Sequence, residues 1–216
     1  MKRVVPMLMS LICLAAFTAT AQGTGGKSKY FGDIEVTTTA DQTPQFSAGG
    51  VVNIGGKPRK WIVILVKFRP AKVPARSGSG FMWRDDMSIQ FEALFAGKGS
   101  PTLISTKIDY WAVQFDGEES YAIAFVHPTI FERFSPPGAK VRKDSLPVRA
   151  TFLINEVPVA SAYGGSKSPE AAAAEFKEFA ASPNVNRVPN AILSMEQTPW
   201  SVLNFDAFEL TKQAGK

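Results

Sequence analysis

The alternation of apolar and polar positions predicts a chain built mainly of short β-strands. Residues 33–39 alternate polar with β-branched side chains, as the half-buried strands of a sheet do. Residues 61–68 form a near-continuous apolar run, which indicates a central strand buried on both faces. Residues 87–95 alternate like the first segment. Their apolar face comprises Met87, Ile89, Phe91, Ala93 and Phe95, and their polar face comprises Ser88, Gln90 and Glu92.

Further strands are predicted on both sides of the central strand. They cover 45–54, 102–115, 121–126, 148–159 and one or two closing strands within 192–210. Turn residues at 116–119 favour a hairpin of 102–115 with 121–126. Asn155-Glu156 indicates a bulge or tight turn, and 128–134 fits a single helical turn. Seven to nine short strands with regular turn signals are typical of a β-sandwich.

One α-helix is predicted in the last third of the chain, over residues 168–181. Ser168 is a favourable N-cap, and Pro169 occupies the first helical position. Glu170 places a negative charge at the positive end of the helix dipole. Pro183 ends the pattern.

The first 21 residues have the three-part layout of a secretory signal peptide. Lys2 and Arg3 precede an apolar run over 4–17, and small residues follow at 19–21. An apolar run of about 14 residues is shorter than the roughly 20 needed for a bilayer span, which favours cleavage over a retained anchor. The predicted organisation is a signal peptide over 1–21, a flexible leader over 22–30 and a single β-sandwich domain over 31–216.

Composition is consistent with an exported globular domain. Removal of 1–21 takes away Cys13, the only cysteine, and lowers the formal net charge from +5 to +3. About 195 residues remain, enough to bury a core without disulfides. A charge this small is not typical of a nucleic-acid-binding protein. The expected location is the periplasm, the outer-membrane surface or the extracellular space.

No group of residues indicates an active site, a metal site or a cofactor site. His127 is the only histidine, so a catalytic triad or a zinc site has few ligands to draw on. The acidic clusters lack the alternating oxygen ligands of a calcium loop, and the paired glycines lack phosphate-loop spacing and are predicted to be turns. These clusters are Asp85-Asp86 and Asp116, Glu118, Glu119, and the glycine pairs include Gly164-Gly165. We therefore expect a protein that is not an enzyme and has no cofactor.

The candidate contact residues are aromatic and basic. Trp83 adjoins a loop, Trp111 lies within the predicted strand 102–115, and Trp200 follows Pro199. Such large aromatic side chains either fill the core or stack on a ligand. Lys72 and Arg76 lie in a Pro- and Gly-rich loop. Other basic residues form two groups that would attract an anionic partner if they shared a face. These groups are Lys57, Arg59, Lys60 and Lys140, Arg142, Lys143.

Several segments together resemble the pilus-like envelope proteins of verrucomicrobial bacteria, which are encoded beside type IV pilus-type assembly genes. The resemblance rests on the Trp-led strand 61–68, on 83–86 before an alternating strand, on Asn155-Glu156, on the late helix, and on 198–206. It covers most of the mature chain. It implies an immunoglobulin-like sandwich in the cell envelope, associated with pilus-like machinery or the outer surface.

The resulting expectation is an exported, non-enzymatic accessory or surface component of a pilus-like assembly. Such a protein would act through contacts with envelope or pilus-assembly proteins. A true pilin is a poorer match, because its leader is cut before the apolar run and the run then forms the filament helix. The alternative is a module that binds carbohydrate or a host surface through exposed aromatic side chains.

Overall fold

The computed structural model describes residues 28–44, 58–75, 80–96, 100–180, 182–202, 208, 211 and 212. The predicted signal peptide and the predicted strand 45–54 lie outside these residues. No helix within the described ranges is long and apolar enough to cross a membrane. The strands are β1 Phe31–Gln42, β2 Lys60–Pro70, β3 Met82–Arg84, β4 Met87–Phe95, β5 Thr102–Asp109, β6 Val113–Phe115, β7 Ser120–Val126, β8 Val148–Ile154, β9 Val157–Gly164, β10 Asn186–Pro189 and β11 Ile192–Leu193, and the α-helices are α1 Pro128–Phe134 and α2 Pro169–Glu175.

Nine of these strands form one sheet, in the order β10-β5-β4-β8-β9-β1-β2-β7-β11. The two end strands, β10 and β11, follow one another in the sequence. Strand β10 runs parallel to β5, and β11 runs antiparallel to β7. Between them, Asn190 takes a left-handed conformation with φ of 57°, and the Ala191 N–H donates to the Ser105 carbonyl of β5 at 3.3 Å. The segment 186–193 therefore joins both edges, and the sheet is nearly barrel-shaped.

The inner face of the sheet holds the main hydrophobic core. At its centre, the rings of Phe31 and Phe68 lie 4.7 and 5.1 Å from that of Phe152. The predicted alternation of β4 is confirmed, because all five residues of its apolar face are buried in this core. Apart from the small Ala93, each of these side chains contributes about 1.5–3 kcal/mol when it is fully buried. The core thus accounts for most of the favourable free energy of folding.

Two smaller clusters cover parts of the outer face. Helix α2 packs Ala172 and Phe176 against Leu94, Leu103 and Tyr163 of the sheet. Near the C-terminus, Met195 and Trp200 pack over Trp61, Val63 and Phe125 of β2 and β7. Because β2 has apolar contacts on both faces, the prediction of a doubly buried central strand is confirmed.

The predicted late helix is confirmed, including its cap. The Ser168 hydroxyl accepts a hydrogen bond from the Ala171 N–H at 3.2 Å, and Pro169 starts α2. After Glu175 the chain continues as a π-helical turn over Phe176–Ala180. The predicted turn at 128–134 is also helical, as α1.

The mainly β class is confirmed, whereas the two-sheet immunoglobulin-like sandwich is not, because the nine strands form one continuous curved sheet. The predicted hairpin of 102–115 with 121–126 is wrong. Ala112, with φ of 48°, breaks the first segment into β5 and β6, which pair with β4 and β3 respectively. Strand β7 instead pairs with β2. The tight turn at Asn155-Glu156 is confirmed, since both residues have positive φ between β8 and β9.

One seam of the sheet differs from the others. Within the described residues, the parallel strands β1 and β9 pair only at Val36 and Gly164, whereas β1 and β2 pair at ten positions. A Cβ on Gly164 would overlap the Val36 carbonyl oxygen. Gly164 is therefore a strand residue at a close backbone contact and not part of a turn as predicted; the turn starts at Gly165, with φ of 72°.

His127 caps helix α1 and packs on the outer aromatic cluster. Its Nδ1 accepts a hydrogen bond from the Thr129 N–H at 3.1 Å, and its ring lies edge-on to Trp61 with centroids 4.6 Å apart. Burial, followed by the nearby Arg59 guanidinium, lowers the pKa of His127 below its ordinary value of 6.5. Protonation of Nδ1 would remove the acceptor, so the cap requires the neutral ring.

Gly164→Ala should destabilise the fold by about 1–3 kcal/mol, because the new methyl group forces β1 and β9 apart at their paired residues. Urea unfolding followed by circular dichroism measures the change. Gly32→Ala is the matched control, since a Cβ there meets only Arg69 atoms at 3.6 and 3.8 Å; its effect should stay within about 0.5 kcal/mol. Equal stability of the two variants would contradict the close contact.

Stability should fall as the pH drops below about 6.5, because the unfolded chain binds a proton at His127 before the folded chain does. The loss ends once the pH passes the lowered pKa of the folded state. His127→Asn keeps an N-cap acceptor but does not titrate in this range. Thermal unfolding from pH 7.5 to 5 should show a smaller decrease in Tm for this variant than for the wild type, and parallel curves would contradict the assignment.

Candidate functional site

Two of the predicted contact residues are exposed at one end of the barrel. Trp83 is 59% exposed and Trp111 is 51% exposed, which is unusual for side chains of this size. Trp83 lies in β3, opposite Gln114 of β6 in a separate two-stranded sheet. Trp111 lies in the bend that leads into β6. The same small sheet therefore positions both rings.

The bend that carries Trp111 is held by Asp85. Its carboxylate accepts a hydrogen bond from the Ala112 N–H at 2.8 Å, which supports the positive φ of that residue. The Lys212 ammonium donates to the Asp85 carbonyl and lies 4.9 Å from the centroid of the Trp111 ring. The ring thus has a cation near it while half of its surface remains exposed.

An ion pair fixes β3 against the end of the barrel. The Arg84 guanidinium makes two hydrogen bonds to the Asp86 carboxylate, at 2.8 and 2.6 Å, and lies 5.7 Å from the ring centroids of Tyr30 and Phe115. The hydrogen bonds from Arg84 hold the pKa of Asp86 below its ordinary value. Asp85 and Asp86 therefore both have structural partners.

Trp200 does not belong with the exposed tryptophans. Its ring stacks on Phe125 at 5.0 Å and meets Trp61 edge-on at 5.2 Å. It helps to cover the outer face of β2 and β7 and is only partly accessible. The structure thus gives Trp200 a packing role, and its role as a ligand contact stays a prediction.

Lys72 lies on the rim of a surface cavity, which we call the β1–β9 groove. The groove has a volume of about 480 Å³ and lies where β1 and β9 diverge from their single paired position. It is lined by residues 31–34, 69–72 and 160–162, with Ser28 and Gly117. Arg76, predicted to act with Lys72, lies outside the described residues.

Two groups of basic residues that are distant in sequence share a second cavity. Arg59, Lys60 and Lys140 line a pocket of about 320 Å³ whose floor includes the buried ring of Phe131. Arg59 also forms an ion pair with Glu132 at 2.7 Å. The tertiary structure thus brings two residues of the first predicted basic group and one of the second to the same pocket.

In the second acidic cluster, the carboxylates of Asp116 and Glu119 have structural contacts. Glu119 binds the Lys67 ammonium at 2.8 Å, and this hydrogen bond is the main cause of its lowered pKa. Asp116 accepts from the Glu118 N–H at 2.8 Å within a turn. Among the described residues, no group of three or more His, Cys, Asp or Glu side chains is arranged to hold a metal ion.

The β1–β9 groove was not foreseen from the sequence. Its local signals are Gly32 and the small residues Ala160, Ser161 and Ala162, which leave space beside the backbone. Small residues are common in strands that do not form grooves, so they do not identify one. The groove depends on the order of strands in the sheet, which places β1 beside β9.

Comparison with known proteins relates this fold to a solved structure. A crystal structure of a protein from Akkermansia muciniphila matches with a TM-score of 0.60, at 16% sequence identity, over 88% of this chain and 100% of the other. At this low sequence identity, the structural match shows a shared fold alone. A search of curated proteins found no match. A protein-family model matches residues 25–215, nearly the whole chain after the predicted signal peptide. The chain therefore belongs to this family, which is that of a pilus-associated protein of Akkermansia.

Proposed function

We propose that the protein is an exported, non-enzymatic component of a pilus-like assembly at the cell envelope, where it acts through contacts with other proteins. The observation that carries this proposal is membership, over residues 25–215, of a pilus-associated family. An accessory or surface role is favoured over that of a filament subunit. The predicted signal peptidase site follows the apolar run of 4–17, so the mature chain would not keep that run as a filament helix.

The surface of the described residues supports a role in binding. The β1–β9 groove and the basic pocket of Arg59, Lys60 and Lys140 are two concave sites on different parts of the barrel. A rigid sheet with separate cavities suits a protein that connects other components. The proposed location is the periplasm, the outer-membrane surface or the exterior of the cell.

A tagged copy expressed in the native bacterium, with cross-linking before lysis, tests the proposal. We expect the mature protein in the envelope or extracellular fraction, cross-linked to proteins of pilus assembly. A copy that lacks residues 1–21 serves as the control, because it stays in the cytoplasm and reveals contacts formed only after lysis. Recovery of the exported protein solely as a free monomer would contradict an assembly role.

A second candidate function is carbohydrate binding at the end of the barrel that carries Trp83 and Trp111. The observation that favours it is the exposure of both rings, at 59% and 51%. Exposed tryptophans stack on the apolar faces of sugar rings, so Trp83 in β3 and Trp111 in the bend before β6 each offer a stacking surface to a glycan. The partly buried Trp200 has no part in this candidate site.

Trp83→Ala and Trp111→Ala should each weaken glycan binding by about tenfold or more, since an exposed aromatic anchor contributes upwards of about 1.4 kcal/mol. A glycan array identifies the ligand, and titration calorimetry with that ligand measures the loss. Val157→Ala is the matched control, because Val157 is an exposed large apolar residue of β9, at 59%. If wild-type protein binds no glycan on the array, or if all three variants bind equally, this second function is wrong.

A further inference from the structure

The open seam between β1 and β9 leaves two strand edges facing each other across a groove. On their other sides, β1 pairs with β2 at ten positions and β8 pairs with β9 at seven. Across the seam, the described residues form one pair, Val36 with Gly164. We propose that this groove binds an extended strand of a partner protein by β-augmentation, and that the partner strand carries acidic side chains. The inference deepens the proposed assembly role and rests on it.

The backbone beyond the paired position is accessible for such pairing. Gly32 and Asp33 of β1 are exposed, as are Val157 and Pro158 of β9, and residues 160–162 are partly exposed. A strand with a partner on one side only presents its remaining N–H and C=O groups to the other side. An added strand would satisfy these groups along both edges.

The shape of the groove suits a peptide backbone flanked by alternating side chains. Phe31, 1% exposed, and the partly buried Ile34 provide an apolar floor continuous with the core. Gly32 on one side and the small residues 160–162 on the other have little or no side chain, so they do not narrow the groove. In an extended peptide, every second side chain points to the same face. Apolar side chains would therefore contact the floor, and the intervening ones would face the rim.

The rim of the groove is basic. Arg69 and Lys72 both line it, against one carboxylate among the lining residues, that of Asp33. Arg69 lies 3.3 Å from Glu119, which also binds Lys67, whereas within the described part of the chain no carboxylate pairs with Lys72. The formal net charge falls from +5 for the whole chain to +3 without residues 1–21, and this positive charge disfavours a second copy as the occupant. Charge complementarity thus points to an acidic strand of a different protein.

Pro158 limits where the added strand can pair. It lies in β9 at the open end of the seam and has no N–H to donate. Pairing on the β9 side is therefore expected over 159–163. At the opposite end, the close contact of Gly164 with Val36 closes the groove. The site accommodates a short segment of about five residues, comparable to an ordinary strand.

The test uses a library of random eight-residue peptides displayed on phage and panned against the purified mature protein. Enriched sequences should alternate apolar residues with Asp or Glu. A labelled synthetic copy of one such peptide is then titrated by fluorescence anisotropy. Gly32→Tyr fills the groove and Lys72→Glu reverses the rim charge, so each should weaken binding at least tenfold. Ala174→Tyr and Lys167→Glu are matched controls at exposed positions that line neither the groove nor the basic pocket, and they should stay within twofold of wild type.

Reversing the charges of both the protein and the peptide distinguishes a loss of recognition from misfolding of the variant. A peptide with Lys in place of its acidic residues should bind Lys72→Glu at least tenfold more tightly than it binds wild type. Hydrogen exchange should show that the acidic peptide slows exchange at amides within 31–35 and 159–163. The proposal is overturned if no enriched peptide distinguishes wild type from Gly32→Tyr, if the charge exchange fails, or if protection appears elsewhere. A wild-type dimer that Gly32→Tyr abolishes would place a second copy in the groove and overturn the assigned partner.

Cross-linking in cells distinguishes this inference from the proposed function. If wild type and Gly32→Tyr capture the same pilus-assembly proteins, the groove is not the contact, although the assembly role stands. If the peptide results are positive but neither protein captures such partners, the groove binds strands and the assembly role fails. Loss of the captured partners in Gly32→Tyr alone, with Ala174→Tyr unaffected, supports both.

Discussion

Closure of the sheet by residues 186–193 is the constraint on which the rest of the structure depends. This segment pairs first with β5 and then, after Asn190 turns the chain, with β7. An open sheet of this length would leave two edges and a solvated inner face. Because the edges are joined, the inner apolar side chains are enclosed on all sides, and the outer face needs only the local cover of α2 and the C-terminal segment.

The same closure explains why the barrel wall opens at a single described seam. Strands β1 and β9 are parallel, and they approach closely only where Gly164 lets the two backbones meet. A side chain at that position would separate them altogether. The glycine thus sets both the one point of closure and the start of the groove. The opening lies in a rigid framework, since each of its strands is firmly paired on its other side.

The surfaces with binding potential lie on different parts of this framework and differ in chemistry. Strand β3 and the bend before β6 each present an exposed tryptophan. The groove combines an apolar floor with a basic rim, and the pocket near α1 is lined by Arg59, Lys60 and Lys140. Membership of a pilus-associated family is consistent with a protein that meets more than one component. The groove is the site where backbone pairing and charge would act together.

The sequence by itself determined the local elements, because their signals come from neighbouring residues. The alternation of 87–95 specified the core face of β4, and Ser168 with Pro169 specified the start of α2. The sequence also identified the two exposed tryptophans, Trp83 and Trp111, as candidate contact residues. For Trp200 it left open whether the ring packs in the core or contacts a ligand. Only the tertiary structure decided the pairing of β7 with β2, the near-closed barrel and the groove. These depend on hydrogen bonds between strands far apart in the chain, and a strand's side-chain pattern fixes which face is buried without fixing which strand lies beside it.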